Sequence, residues 1–273
     1  MASVTVRISQ ISQPRGGYIK PSDMKEISLF DGKVLGEENV HASITGMAVD
    51  YLTRYMVGKI NGLDDKTNLC KAFNISILGY TFRSELLGNK AVAQDQKNHV
   101  DINYLLRKIN GLDDDSIIAA CKVTAYDVWF RNPMGALMAK GPSDTNPDKT
   151  TIDNIRIMVE RSLRFWEMYG PVVSDGFTFE NDGYTKVVDS GDGDYLTKDT
   201  MWDFKVSKSK PTNKHTLQLL MYWIMGQHSK KPEFKSVAKL GIFNPRLNTV
   251  YIYDVNNVSK ETIREIEDNV ICY

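Results

Sequence analysis

Apolar positions recur along this chain at two periods. From Ala42 to about Val57, the residues Ile44, Met47, Ala48, Tyr51, Leu52, Tyr55 and Met56 repeat at helical spacing. A helix starting at Thr151 or Asp153 and running to about Tyr169 carries Ile155, Met158, Val159, Leu163, Trp166 and Tyr169 as its buried stripe. From Asn213 to about His228 apolar residues cover most of the circumference, which predicts a nearly all-buried helix after Pro211-Thr212. Ser259 is expected to cap a last helix to about Val270. Period two marks the strands: Val4–Ile8, then Glu26–Phe30 before Asp31-Gly32, read together as an N-terminal β-hairpin. Gly176–Glu180 and Tyr184–Val188 flank an Asn181-Asp182-Gly183 turn, and Val237–Phe243 and Thr249–Val255 flank a Pro245 loop. The order predicts an α/β chain with a mixed central sheet flanked by helices.

Two further features set the expected organisation. The heptamer KINGLDD occurs at Lys59–Asp65 and again at Lys108–Asp114, each copy between helical stretches. Its paired acids, Asp64-Asp65 and Asp113-Asp114, suit the start of the following helix. The Gly141–Pro147 stretch reads as a linker. The expected regions are therefore an N-terminal hairpin over 1–40, a helical region over 41–145 and a sheet-containing core over 146–273.

The chemistry-bearing stretch is Gly191–Lys205, GDGDYLTKDTMWDFK. It reads as a hairpin turning at Thr197-Lys198-Asp199, which returns Asp194 toward Asp203. Strand alternation puts Asp203 and Lys205 on one face, about 7 Å apart along the strand, and Phe204 on the other. Two carboxylates and a lysine at a sheet surface suit Mg²⁺ or Mn²⁺, which take oxygen ligands and complete their shell with water and phosphate. The alternative for the Asp-Phe-Lys triplet alone is a surface ion pair. In the next helix His215, Gln218 and Tyr222 form one polar stripe on an apolar cylinder, either facing a polar site or satisfied locally by backbone. The Asp189–Asp194 run lacks the offsets of an EF-hand calcium loop.

The order acid (Asp194), Asp-x-Lys (Asp203, Lys205), then a helix with Gln-x-x-x-Tyr (Gln218, Tyr222) resembles the PD-(D/E)XK nuclease superfamily, and within it the RecB-like exonuclease branch. The resemblance covers about residues 151–253, and Gly193 stands where the superfamily's name has Pro. It implies a restriction-endonuclease-like fold and a divalent-metal-dependent DNA nuclease. By resemblance, Asp194 and Asp203 bind Mg²⁺ or Mn²⁺ with the Phe204 carbonyl, Lys205 is catalytic, and Gln218 and Tyr222 support the site. Glu160, in the helix before the first core strand, is the match for a third acid; its alternative is i, i+4 ion pairing with Arg156 and Arg164 on a wet helix face. His41 has an upstream-ligand reading beside that of an ordinary helix-start residue.

Net charge is zero, so no global field points to nucleic acid. Its distribution does more: residues 201–250 hold nine Lys or Arg against two acids, whereas 151–200 hold ten acids and five bases. Lys208, Lys210, Lys214 and His215 are the expected DNA contacts beside an acidic pocket. Cys70, Cys121 and Cys272 form no CxxC and fall short of four ligands, so no zinc knuckle or iron–sulfur cluster is expected. The polar start and the lack of any long apolar run point to a cytoplasmic protein without membrane contact. The rival reading is a nuclease fold kept as an inactive DNA- or protein-binding module.

Overall fold

A parallel strand pair needs a long crossover, and the apolar helix after Asp203 supplies one. The computed structural model describes residues 2–180 and 182–273. In chain order the strands are β1 (Ala2–Ser3), β2 (Lys25–Ser28), β3 (Ser174–Thr178), β4 (Val188–Ser190), β5 (Asp192–Leu196), β6 (Thr200–Phe204), β7 (Lys239–Asn244) and β8 (Thr249–Asp254). The helices up to the middle of the chain are α1 (Val4–Gln10), α2 (Ala42–Ile60), α3 (Asp65–Ala72), α4 (Asn74–Leu87), α5 (Asn89–Lys97) and α6 (Ile102–Lys108). There follow α7 (Asp114–Thr124), α8 (Asp127–Arg131), α9 (Pro133–Ala136), α10 (Lys149–Tyr169), α11 (Asn213–His228) and α12 (Lys260–Glu265).

The chain forms two units: Met1–Asp31 with Phe165–Tyr273, and Gly32–Arg164. The first holds a six-stranded mixed sheet in the order β2-β8-β7-β6-β5-β3. β6 and β7 are parallel, joined through α11, and every other pair in it is antiparallel. Alternate residues of the central strands face opposite ways. Leu196, Met201, Leu240, Ile242 and Tyr251 pack with Leu217, Leu220, Met221 and Ile224 of α11. Each such side chain stabilises the unit by roughly 1.5–3 kcal/mol. On the other face Phe165 stacks on Phe243 at 4.1 Å and meets Trp202 edge-on at 4.9 Å. The expected mixed α/β sheet flanked by helices is therefore present.

The expected N-terminal hairpin is not. Val4–Gln10 is a helix whose cap, Ser3 Oγ, accepts the Val6 N–H at 3.3 Å. Val4 and Ile8 are buried while Val6 is exposed, so the apparent alternation was the i, i+4 stripe of a helix. The second expected strand forms, but β2 pairs with β8 at the sheet edge. A second correction concerns Tyr184–Val188. Thr185 Oγ1 accepts the N–H groups of Val187 and Val188, so the chain turns there and pairing begins only at Val188, with β1. In the turn expected before it, Asn181 lies outside the described residues, and Asp182 has φ of 81°.

The second unit is helical. Asp64 and Asp113, from the two KINGLDD copies, cap α3 and α7 by accepting the Thr67 and Ser116 N–H groups, each at 3.0 Å. The Gly141–Pro147 stretch lies inside this unit and does not divide the chain. Pro142 and Thr145 are buried, and Lys122 Nζ holds the Pro142 carbonyl and Asn146 Oδ1.

Candidate functional site

β5 and β6 meet with Tyr195 opposite Trp202 and Leu196 opposite Met201. Continuing that register by one residue sets Asp194 opposite Asp203, with both side chains on one face. The backbone ladder stops there. In its place Asp194 Oδ2 accepts the Phe204 N–H at 2.8 Å, so this carboxylate is oriented by the strand it faces. Gly193 is required beside it, because the Phe177 ring from β3 lies over its α-carbon and would stand 2.0 Å from any Cβ.

Asp203 is 3% exposed. Its Oδ1 takes Lys205 Nζ at 2.9 Å, the two side chains sharing a strand face as their spacing requires. Its Oδ2 is buried and has no hydrogen-bond partner. A buried carboxylate oxygen without a donor costs about 1–3 kcal/mol. Phe204 points to the opposite face, against Tyr195 and Phe243.

The polar stripe of α11 faces these acids. Gln218 Nε2 donates to Tyr222 Oη at 3.0 Å, an i, i+4 bond within the stripe. Burial raises the Tyr222 hydroxyl well above the usual phenol range; the Gln218 bond opposes this, and the Asp203, Asp194 and Asp192 carboxylates add to it. At the head of the helix His215 Nδ1 accepts the Thr212 N–H at 3.1 Å. Nδ1 is thereby the acceptor, which puts the proton of the neutral ring on Nε2. Burial, then the Lys205 ammonium, pushes the His215 pKa down to about 4, so the ring is neutral near pH 7. Asp203, Asp194, Lys205, His215, Gln218 and Tyr222 are therefore in one electrostatic neighbourhood. Asp192 belongs with them and was missed as a site residue. The signal was present: Asp192 and Asp194 are i, i+2 on one strand face.

The remaining predicted residues stand as follows. Lys210 Nζ is held by Glu26 Oε2 at 2.7 Å, while Lys208 and Lys214 are exposed. Glu160 belongs to the second unit, where Oε2 pairs with Lys33 Nζ at 2.7 Å, a surface ion pair with a residue distant in sequence and not with the i, i+4 neighbour of the alternative reading. His41, also in that unit, caps α2: its Nδ1 takes the Ser43 N–H at 3.3 Å and lies 2.7 Å from Ser43 Oγ. It lines a cavity of about 690 Å³ with Ile44, Met47, Thr124 and Val128. In the aromatic Tyr126–Arg131 segment, Tyr126 and Trp129 are core and Phe130 is exposed.

No family model, curated protein or solved structure matches the chain. No helix among the described residues is long and apolar enough to cross a membrane.

Proposed function

We propose that the chain is a divalent-metal-dependent DNA nuclease of the PD-(D/E)XK kind, RecB-like in its Gln-Tyr helix, that hydrolyses phosphodiester bonds. The observation that carries this reading is the open Oδ2 of Asp203, buried and unpartnered beside Asp194 and Lys205. The donor set fits Mg²⁺ or Mn²⁺: it is anionic oxygen, and its fixed charge is one that a cation offsets and a water molecule does not. Asp203 and Asp194 would hold the ion, with the carbonyl of Phe204, the residue that follows Asp203, as a further oxygen. When bound, such an ion polarises a phosphodiester and supplies an activated water at neutral pH.

The chain's own groups do the rest. Lys205 Nζ, tethered to Asp203, is an ammonium at the edge of the pocket, 29% exposed, able to offset charge on the phosphate as it develops. His215, neutral and protonated on Nε2, is a hydrogen-bond donor and not a general base. Gln218 holds the Tyr222 hydroxyl and leaves its own side-chain carbonyl to accept from substrate or water. The test is degradation of end-labelled linear and closed circular DNA with Mn²⁺, for the wild type, Asp203→Ala and Lys205→Ala. Cleavage abolished in both variants is expected. Absence of cleavage by the wild type, or wild-type rates in either variant, would overturn the reading.

A further inference from the structure

Resting on that reading of the carboxylate site, we propose that the loop Pro14–Lys20 is a second grip on the phosphate backbone of the DNA, formed by Arg15 and Lys20 together with Lys208 and Lys214 around the head of α11. The first 40 residues carried no expected chemistry, yet the fold brings this loop to the helix that bears His215, Gln218 and Tyr222.

The attachment is specific. Gly17 N–H donates to the Pro14 carbonyl at 2.8 Å and closes the turn, with φ of 90° at Gly16 and 99° at Gly17. A Cβ at Gly17 would stand 2.7 Å from Asn213 Cβ, so the loop backbone rests directly on the first residue of α11. Thr216 Oγ1, buried in the first turn, donates to the Ile19 carbonyl at 2.7 Å. The Lys20 stem lies along Gly16, the residue that follows Arg15.

Some lysines of this unit sit on carboxylates, Lys210 on Glu26, Lys230 on Asp182 and Lys239 on Asp199, each at 2.7 Å. Others, Lys25, Lys186, Lys198 and Lys260, are exposed with no ion pair among the described residues, so position and not charge alone singles out the surface at the head of α11. Arg15, Lys20, Lys208 and Lys214 are exposed, and among the described residues their side chains form no ion pair and no hydrogen bond. Four uncompensated cations, two on the loop that rests on α11, one in the first turn of that helix and one on the segment leading into it from β6, suit a polyanion with charges at regular intervals. Their position next to the carboxylate pair favours nucleic acid over an anionic membrane.

The test uses the full chain with EDTA present, so that binding is read without cleavage. Affinity for a fluorescein-labelled DNA oligonucleotide is measured by anisotropy across a salt series. Wild type is expected to show log K falling with log salt at a slope of about −3, as about four phosphate contacts give. Arg15→Ala with Lys20→Ala should lower the steepness by about 1.5 to 2 and leave the melting temperature unchanged. Arg15→Lys with Lys20→Arg should restore the wild-type slope. An unchanged slope in the alanine pair would overturn the proposal, as would undetectable DNA binding, or binding to phosphatidylserine vesicles in place of DNA. Cleavage is scored separately: cutting with an unchanged slope removes the loop's role alone, and a lowered slope without cutting removes catalysis alone.

Discussion

Two buried aspartates, one in each unit, have opposite fates. Asp127, 1% exposed in the helical unit, accepts Ser76 Oγ on Oδ1 and Tyr51 Oη on Oδ2, with Arg131 Nε 3.6 Å away. Burial raises its pKa, and the two hydroxyls and the guanidinium oppose that rise. Asp203 is as deeply buried, yet only Oδ1 is engaged, by Lys205. A fold able to saturate one interior carboxylate leaves another half-open where a second acid, a lysine and a glutamine converge. Asp127 joins helices through its saturated carboxylate, and on the proposed function the open oxygen of Asp203 is the one that takes the metal ion.

The comparison breaks first on activity. Asp203→Asn should lower Mn²⁺-dependent cleavage by a factor of at least about 10²–10³, the scale for removing one group that stabilises charge in a site. It should not lower the unfolding free energy by more than about 1 kcal/mol, because Lys205 is exposed enough to be solvated and the neutral amide relieves the cost of the unpartnered carboxylate oxygen. Asp127→Ala should do the reverse. It strands the Tyr51 and Ser76 hydroxyls in the interior and should cost about 2–5 kcal/mol in urea unfolding, with cleavage per folded molecule retained. Equal stability losses in the two variants would erase the distinction.

A smaller effect sharpens the electrostatics. The His215 pKa is depressed to about 4 in the folded chain, below the ordinary histidine value near 6.5. Between those values the unfolded chain binds the extra proton, so stability rises with pH through that window and is lost as pH falls. The contribution should be on the order of 2 kcal/mol after allowing for partial exposure. His215→Gln keeps an acceptor for the Thr212 N–H and should flatten the pH 4 to 6.5 slope. A slope unchanged in that variant would assign it to other groups. Smallest is Glu160→Gln. As a surface pair with Lys33 it should cost under about 1 kcal/mol and leave Mn²⁺ affinity unaltered. Weakened Mn²⁺ binding would return Glu160 to the metal site.

What could be read beforehand was the local part. Asp194, Asp203 and Lys205 lie on one hairpin, and His215, Gln218 and Tyr222 on one helix, so spacing alone brings each set to one face. The sheet's helix-flanked character followed from the same periodicities. Long-range pairing was not legible. Val4–Ile8 satisfies both periods over five residues, and only the Ser3 cap and burial against α11 select the helix. The turn at Thr185 depends on one hydroxyl taking two N–H groups. The contact of Gly17 with Asn213 joins segments nearly 200 residues apart, which no local pattern encodes.

The most direct test of the half-open Asp203 is calorimetric titration of the full chain with Mn²⁺, beside Asp203→Asn. Wild type should bind, and at a hundredfold excess over Kd the ion should stabilise it by about 2.7 kcal/mol in a thermal melt. Asp203→Asn should lose both the binding heat and the stabilisation. Equal binding by the two proteins, or no binding by the wild type, would contradict the account.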